Sequence, residues 1–382
     1  MAEPVGAVRR VVSVVGARPQ FVKAAAVCRA VARHNLLDSP VRIEERMVHT
    51  GQHYDPQLSA VFFAELGIPA PAENLGVGSG PHGQQTGRML ELLERLLLAE
   101  PPDWVLVYGD TNSTLAAALA AAKLNLPVVH VEAGLRSGNL RMAEEQNRIV
   151  ADQLATLLLC PTPVAVANLA REGRVQGVEL IGDVMYDSLL YHTAGADAGT
   201  AATVLARLGL PPRGYYLATV HRAENTDDPA RLASLFAGLA RLPYPVLLPL
   251  HPRTRARLDA AGLTVADPVR LLPPVSYLEM LPLLQGARIV LTDSGGVQKE
   301  AYWLGVPCVT LREETEWREL VEAGCNRVVG VAGERIHDAV AGFERQDARL
   351  PADRPRDLYG DGQSARRVVE LLASYPLPGR TA

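Results

Sequence analysis

Trp104-Val105-Leu106-Val107-Tyr108-Gly109-Asp110-Thr111-Asn112-Ser113-Thr114 decides the fold of this chain. A short apolar run ends in Gly and Asp, and a helical pattern begins at once. The same phrase recurs from Pro127 to Val131, which ends in Glu132-Ala133-Gly134-Leu135-Arg136, with Ala143-Glu144-Glu145-Gln146-Asn147-Arg148 following. Buried runs of this length alternating with helical segments are the signature of βα units and a parallel sheet. Residues just beyond the carboxyl ends of such strands line a ligand crevice. Asp110 and Glu132 are expected there, with Glu145 entering from the next segment. Carboxylates gathered at one mouth repel each other and lose hydration, so a cation or a proton transfer is expected among them.

The second half of the chain carries a complementary signal. Ala287-Arg288-Ile289-Val290-Leu291 reads as a buried strand running into Thr292-Asp293-Ser294-Gly295-Gly296-Val297-Gln298-Lys299-Glu300. Strand, small residues and helix turn several backbone N–H groups toward an anion, and the helix end adds roughly 0.3–1 kcal/mol. Ser294, Gly295 and Gly296 are the expected phosphate seat, and Glu300, inside the helix, is placed for a ribose diol.

Strands are expected at Val11–Val15, Glu45–His49, Trp104–Tyr108, Pro127–Val131 and Leu157–Cys160, and after an Ala/Gly-rich stretch (Ala194 to Thr203) at Tyr215–Val220, Val246–Pro249, Val269–Leu272, Arg288–Leu291 and Pro307–Leu311. The reading is an α/β protein with two Rossmann-like domains facing across a cleft: 1–178, 179–362, and a last helix from 363 to 382 packing back on the first domain. With 382 residues the chain exceeds the usual size of one core. Its formal charge of −4, without a basic stripe, argues against nucleic acid. Apolar stretches break well before the ~20 residues of a membrane span. No signal-peptide layout is present at the N-terminus. Cys28, Cys160, Cys308 and Cys325 have no paired spacing and read as reduced core residues. The expected location is the cytoplasm.

Other candidates lie at strand ends. Gly16-Ala17-Arg18-Pro19-Gln20 follows the first strand, with Arg18 placed for bidentate phosphate contact and Lys23 one turn on. The full dinucleotide fingerprint is missing, so no dinucleotide is expected. His221-Arg222 follows the first strand of the second half and suits phosphate contact or proton transfer. His251-Pro252-Arg253-Thr254 repeats that placement. Glu144 is assigned to a surface pair with Arg148, leaving Glu145 for chemistry. Asp110 has a second reading as a turn or cap at the helix containing Ser113. His49-Thr50-Gly51-Gln52-His53 fits no defensible zinc spacing, and no metal is expected.

Taken in order, Gly16–Lys23, Thr50–His53, Gly109–Thr114, His130–Arg136, Glu144–Arg148, Gly182–Asp187, His221–Asn225, Asp293–Glu300 and Tyr359–Gly362 resemble the non-hydrolysing UDP-N-acetylglucosamine 2-epimerase family across nearly the whole chain. The resemblance implies a glycosyltransferase-B-like fold, a homodimer, a UDP-sugar substrate and no cofactor. It makes Asp110, Glu132, Glu145 and His221 catalytic. Arg18, Lys23, Arg148, His221, Ser294, Gly295, Gly296, Glu300 and Trp317 would bind UDP or substrate. It further implies anti elimination of UDP to 2-acetamidoglucal and re-addition with inversion at C-2.

The chain departs from the family pattern in several places. Ala143 stands where Pro is usual, and Gln153 follows Asp152 where His is common. Thr315-Glu316-Trp317 replaces Thr-Glu-Arg, and Trp there resembles the branch acting on UDP-2,3-diacetamido-2,3-dideoxyglucuronate. Gln52-His53-Tyr54 lacks the Arg of a substrate-activation string. Three readings compete with epimerisation: a UDP-sugar glycosyltransferase of the same fold, a catalytically silent UDP-sugar sensor, and a hydrolysing relative releasing N-acetylmannosamine and UDP. The acidic set separates the epimerase from the first two.

Overall fold

Every strand pair among the described residues is parallel, which places all strand carboxyl ends of each sheet on one edge. The computed structural model describes residues 6–52, 63, 65–195, 205–206, 209–250 and 252–377. His53, Tyr54 and His251 lie outside the described residues, as do most of the Ala/Gly-rich stretch and the side chain of Arg253.

The first sheet has β1 (Ala7–Val15), β2 (Val41–His49), β3 (Glu73–Asn74), β4 (Trp104–Tyr108), β5 (Val128–Val131), β6 (Leu157–Cys160) and β7 (Val178–Leu180), in the order β3-β2-β1-β4-β5-β6-β7. Its helices are α1 (Arg18–Asn35), α2 (His82–Ala99), α3 (Asn112–Lys123), α4 (Ala143–Leu154), α5 (Pro163–Arg171) and α6 (Val184–Gly195). The order reverses between β1 and β4, the switch point at which such sheets bind ligands. The strands β4, β5 and β6 are buried on both faces, which is why they read as unbroken apolar runs. The sequence reading starts β1 at Val11 and β2 at Glu45. Both strands begin earlier, in segments whose residues are exposed in alternation and carry arginines, so apolar runs alone do not find them.

The second sheet has β8 (Tyr216–Thr219), β9 (Val246–Pro249), β10 (Val269–Leu272), β11 (Ile289–Thr292), β12 (Cys308–Thr310) and β13 (Asn326–Val328), ordered β10-β9-β8-β11-β12-β13. Here the switch point lies between β8 and β11. Around it are α7 (Ala223–Thr226), α8 (Pro229–Leu239), α9 (Pro252–Ala260), α10 (Tyr277–Gln285), α11 (Gly295–Trp303), α12 (Arg318–Glu322) and α13 (Gly333–Glu344). Alternate strand residues feed separate cores: Tyr216 and Ala218 pack with Leu235 and Phe343, Tyr215 and Leu217 with Leu283 and Leu284.

Packing divides the chain into Met1–Tyr191 with Asp357–Ala382, and His192–Arg356. The boundaries at 178/179 and 362/363 expected from sequence are therefore displaced. The strand β7 pairs with β6 and so belongs to the first sheet. The segment Tyr359–Gly362 belongs there too, because Asp183 N–H donates to the Tyr359 carbonyl at 2.9 Å. Gly182 has φ +87°, and a Cβ there would stand 2.8 Å from that same carbonyl oxygen. Two strings remote in sequence are thus fixed by one close backbone crossing.

The final helix, α14 (Ser364–Ser374), is anchored to the first unit at both ends. At its start the Asp187 carboxylate accepts from Ser364 N (3.1 Å) and Ala365 N (2.8 Å). At its end Arg9 Nη1 donates to the carbonyls of Leu372 (2.8 Å) and Tyr375 (2.7 Å). Each charge has the sign that the helix dipole favours. Among the described residues no helix is long and apolar enough to cross a membrane.

Burial pushes the Asp187 carboxyl up to about 6. Its folded value lies above the unfolded one, so its contribution is complete at acid pH and declines as pH rises through about 6. Asp187→Ala should lower stability by about 1 kcal/mol at pH 7.5, and by more at pH 5. Denaturant midpoints at the two pH values, with hydrogen exchange at Ser364 and Ala365, check this.

Candidate active site

The loops after β1 and β4 are tied together at the first switch point by Gln20. Its Oε1 accepts from Gly16 N (2.8 Å) and Ala17 N (3.1 Å), while its Nε2 donates to the Tyr108 carbonyl (2.8 Å) and Thr114 Oγ1 (3.1 Å). Gly16 cannot be larger, because a Cβ there would stand 2.1 Å from Ser113 Oγ and 2.2 Å from Thr50 Oγ1. The Thr50–Gln52 loop packs on the start of α3, where Gln52 Oε1 accepts from Ser113 N–H and Oγ–H. Among the described residues no cluster of three or more His, Cys, Asp or Glu side chains could hold a metal ion.

The acidic residues do not simply crowd one another. Arg148 is buried and bridges two of them, donating from Nη2 to Asp110 Oδ2 (2.6 Å) and from Nη1 to Glu145 Oε2 (2.8 Å). The pairing of Arg148 with Glu144 expected from sequence is therefore replaced by one with Glu145, three residues before it on α4. Glu145 also accepts from Ser137 N (2.9 Å) and Gly138 N (2.8 Å). Burial raises its carboxyl, but those two N–H groups and the Arg148 guanidinium outweigh that and hold it below the usual range. Its stabilising contribution is thus complete at neutral pH and is lost as pH falls through the carboxylate range. Asp110 is not the cap of α3. Thr111 is, through Oγ1 accepting from Thr114 N, while Asn147 Nδ2 holds the Asp110 carbonyl at 2.9 Å.

Glu132 forms a buried ion pair with Lys23. Lys23, assigned to substrate on sequence, thus has the carboxylate of Glu132 as a partner. Glu132 itself takes φ +74°, a left-handed backbone that costs a non-glycine residue on the order of 1–3 kcal/mol. The N–H groups of Glu132 and Ala133 donate to the Leu159 carbonyl at 3.0 and 3.1 Å, which holds the turn. Gly109, at φ +63°, must be glycine: a Cβ would lie 2.9 Å from Lys23 Nζ and 3.1 Å from Glu132 Oε2. Arg18 is the first residue of α1 and is partly exposed. One edge of the first sheet therefore carries Asp110, Glu132, Glu145, Lys23, Arg18 and Arg148.

In the second unit the switch point is organised by Asp293, which the sequence reading leaves without a role. Its buried carboxylate accepts from His221 N (3.2 and 3.1 Å), Arg222 N (3.0 Å) and Asn225 Nδ2 (3.2 Å). The half-exposed His221 ring is held with Nε2 3.9 Å from Asp293 Oδ1. Ser294 is the N-cap position of α11, and Gly295 and Gly296 open the helix, where the first N–H groups have no intrahelical acceptor. A Cβ on Gly295 would stand 2.6 Å from Glu316 Oε1 and 3.3 Å from Trp317 Nε1. Glu300 lies buried further along the same helix.

Trp317 is buried, with Lys299 Nζ 4.0 Å over its ring and Glu316 held by Arg312 at 2.8 Å beside it. Its indole thus walls the first turn of α11 and covers a buried ammonium.

These features have known counterparts. Residues 35–373 match the family model described as UDP-N-acetylglucosamine 2-epimerase. The chain belongs to the UDP-N-acetylglucosamine 2-epimerase family. It is 47% identical over 371 residues to the UDP-2,3-diacetamido-2,3-dideoxy-D-glucuronate 2-epimerase of Pseudomonas aeruginosa, covering 95% of this chain and 99% of that one. To the UDP-N-acetylglucosamine 2-epimerase of Methanocaldococcus jannaschii it is 38% identical, over 94% of this chain and 97% of the relative. A crystal structure of the latter enzyme in complex with UDP-GlcNAc and UDP superposes with a TM-score of 0.85, at 37% identity and coverage of 95% and 99%. The fold with two parallel sheets is that of these epimerases, a glycosyltransferase-B-like architecture, and the chain is an isomerase of UDP-sugars.

Substitutions around Arg148 and Trp317 test the electrostatics. Arg148→Leu leaves Glu145 buried without its cation and is expected to cost about 3–5 kcal/mol. Adding Glu145→Gln should recover part of that loss in denaturant titrations. Trp317→Arg sets a second cation beside buried Lys299 and should destabilise the second unit by about 3 kcal/mol, whereas Trp317→Phe retains the ring over Lys299 and most of the stability.

Proposed function

We propose that this chain interconverts UDP-N-acetylglucosamine and UDP-N-acetylmannosamine, with Asp110, Glu132 and Glu145 as the acid/base set and the start of α11 as the diphosphate seat. The observation that carries the reading is the cationic bracing of the acidic set. Arg148 lies between Asp110 and Glu145, and Lys23 pairs with Glu132, so each carboxylate has a cation beside it at the strand carboxyl ends of the first sheet. A carboxylate removes the C-2 proton, its bonding pair becomes the C-1=C-2 double bond, and the C-1–O bond breaks with its pair going to the β-phosphate oxygen. UDP and 2-acetamidoglucal result from this anti elimination. In the return step C-2 takes a proton on the opposite face while the UDP oxygen bonds C-1.

The chemistry divides between residues in named roles. A carboxylate on each face serves as base or acid. Arg18, His221 and the N–H groups of Gly295 and Gly296 neutralise the departing diphosphate, while Ser294 N–H, expected to join them, donates instead to Thr292 Oγ1 at 2.9 Å. Glu300 takes the ribose diol. Lys23 and Arg148, proposed from sequence as substrate ligands, act on this reading through the carboxylates they brace. The resemblance further carries a homodimer and turnover without a cofactor, and the unpaired cysteines a cytoplasmic location.

A second reading takes UDP-2,3-diacetamido-2,3-dideoxyglucuronate as substrate. The 47% identical relative bears that name, and Trp317 stands where the N-acetylglucosamine branch usually has Arg.

Incubation with each sugar nucleotide, followed at the anomeric proton by NMR, separates the readings. The expected result is a second anomeric signal from UDP-N-acetylmannosamine; signal only with the diacetamido sugar selects the second reading. Loss of either acid/base group should cost roughly 10²–10⁴-fold, so Glu132→Gln and Asp110→Asn should lose activity in about that range while binding UDP as the parent does. Glu300→Ala should weaken UDP binding in calorimetric titration with the fold intact.

A further inference from the structure

Beneath Asp110 and Glu132 lies a buried polar chain to which the reaction assigns no part. His130, on β5, is fully buried, and both its ring nitrogens meet oxygens at 2.7 Å. Nδ1 faces Asp152 Oδ1, and Nε2 faces the Gly109 carbonyl. Asp152 Oδ2 meanwhile accepts from Gly134 N (3.1 Å) and Arg136 Nη1 (2.7 Å). Arg136 completes the chain with a two-pronged contact to Glu172, at 2.7 Å on each prong.

A carbonyl oxygen only accepts. Burial raises the Asp152 carboxyl, but His130 and Arg136 outweigh it and hold the group below its ordinary value, so Asp152 is the carboxylate. Both ring nitrogens of His130 are thus engaged, Nδ1 by the Asp152 carboxylate and Nε2 by the Gly109 carbonyl.

The geometric consequence falls on two turns. Gly109 N–H donates to the Val131 carbonyl at 3.0 Å, and the Gly109 carbonyl accepts from His130, so both its backbone groups are tied to β5. The residue after it is Asp110. The Cα of Gly109 abuts the Lys23–Glu132 pair, so that a Cβ there would stand 2.9 Å from Lys23 Nζ and 3.1 Å from Glu132 Oε2. At the other end Asp152 holds Gly134 N–H, two residues past Glu132. A shift of this chain moves both carboxylates together.

We propose that His130 is a positioning residue of the epimerase: held between the Gly109 carbonyl and Asp152, with Arg136 bracing Asp152, it sets the Gly109–Asp110 and Glu132–Gly134 turns in reacting register. The proposal rests on the reading of Asp110 and Glu132 as the acid/base pair. Misplacement by about 1 Å can cost on the order of 10²-fold in rate.

Two substitutions divide the ring's roles. His130→Gln places an amide N–H where Nε2 stands and retains the bond to Gly109. His130→Asn places one near Nδ1 and retains only the bond to Asp152. The expected result is a loss of kcat of about 10–100-fold for His130→Asn, with KM for the UDP-sugar within about threefold, UDP affinity unchanged, and a smaller loss for His130→Gln. Parental kcat in both variants overturns the proposal, as does an equal loss in both. Nitrogen-15 NMR of the parent protein supplies an arm that needs no variant. A hydrogen-bonded proton is expected on the His130 ring nitrogen that faces the Gly109 carbonyl, and a bare nitrogen there overturns the proposal even if neither variant folds. Parent protein that turns over no UDP-sugar defeats the epimerase reading, whereas active parent with unaffected His130→Asn defeats only this one.

Discussion

Arg148 is the constraint on which the first unit depends. One buried guanidinium satisfies the carboxylates of Asp110 and Glu145, which come from different elements and would otherwise repel. Removing an ionised group from water is costly unless it is paired and hydrogen-bonded. The protein meets that condition with the Arg148 fork and the N–H groups of Ser137 and Gly138 around Glu145. Lys23 does the same for Glu132, whose left-handed backbone is held open by the smallness of Gly109. Charge that is held without reorganising is what a site for proton transfer requires.

The parallel sheets explain why so few residues suffice. With every strand running one way, each sheet has one edge where strand ends, helix starts and exposed backbone N–H groups coincide. The switch points between β1 and β4 and between β8 and β11 place Gly16, Asp110, His221 and Ser294 on those edges. Buried carboxylates or amides then organise each edge from below: Gln20 in the first unit, Asp293 in the second.

Much of this was legible in the sequence because buried parallel strands announce themselves as apolar runs. The strands β4, β6, β9 and β10 fall where those runs predict, and Asp110 and Glu132 follow the ends of β4 and β5. Other features were hidden for physical reasons. The early residues of β1 and β2 alternate in exposure and carry charge, so they resemble surface loop. The partner of Arg148 could not be chosen from spacing, since i,i+3 and i,i+4 are both neighbours on a helix. Asp293 reads as a member of a motif and Asp152 only as the residue before Gln153, since their roles depend on backbone N–H groups that only the folded turn supplies. The domain boundary was misplaced because β7 is short and half-exposed, and because the Gly182–Gly360 crossing joins segments remote in sequence.

The central claim is that the braced carboxylates move a proton at C-2. Turnover of the UDP-sugar in heavy water, with product analysed by mass and proton NMR, tests it most directly. The account predicts one solvent deuterium at C-2 of the epimerised product, with small amounts of free UDP and 2-acetamidoglucal on long incubation. Epimerised product carrying only the original hydrogen at C-2 would contradict it.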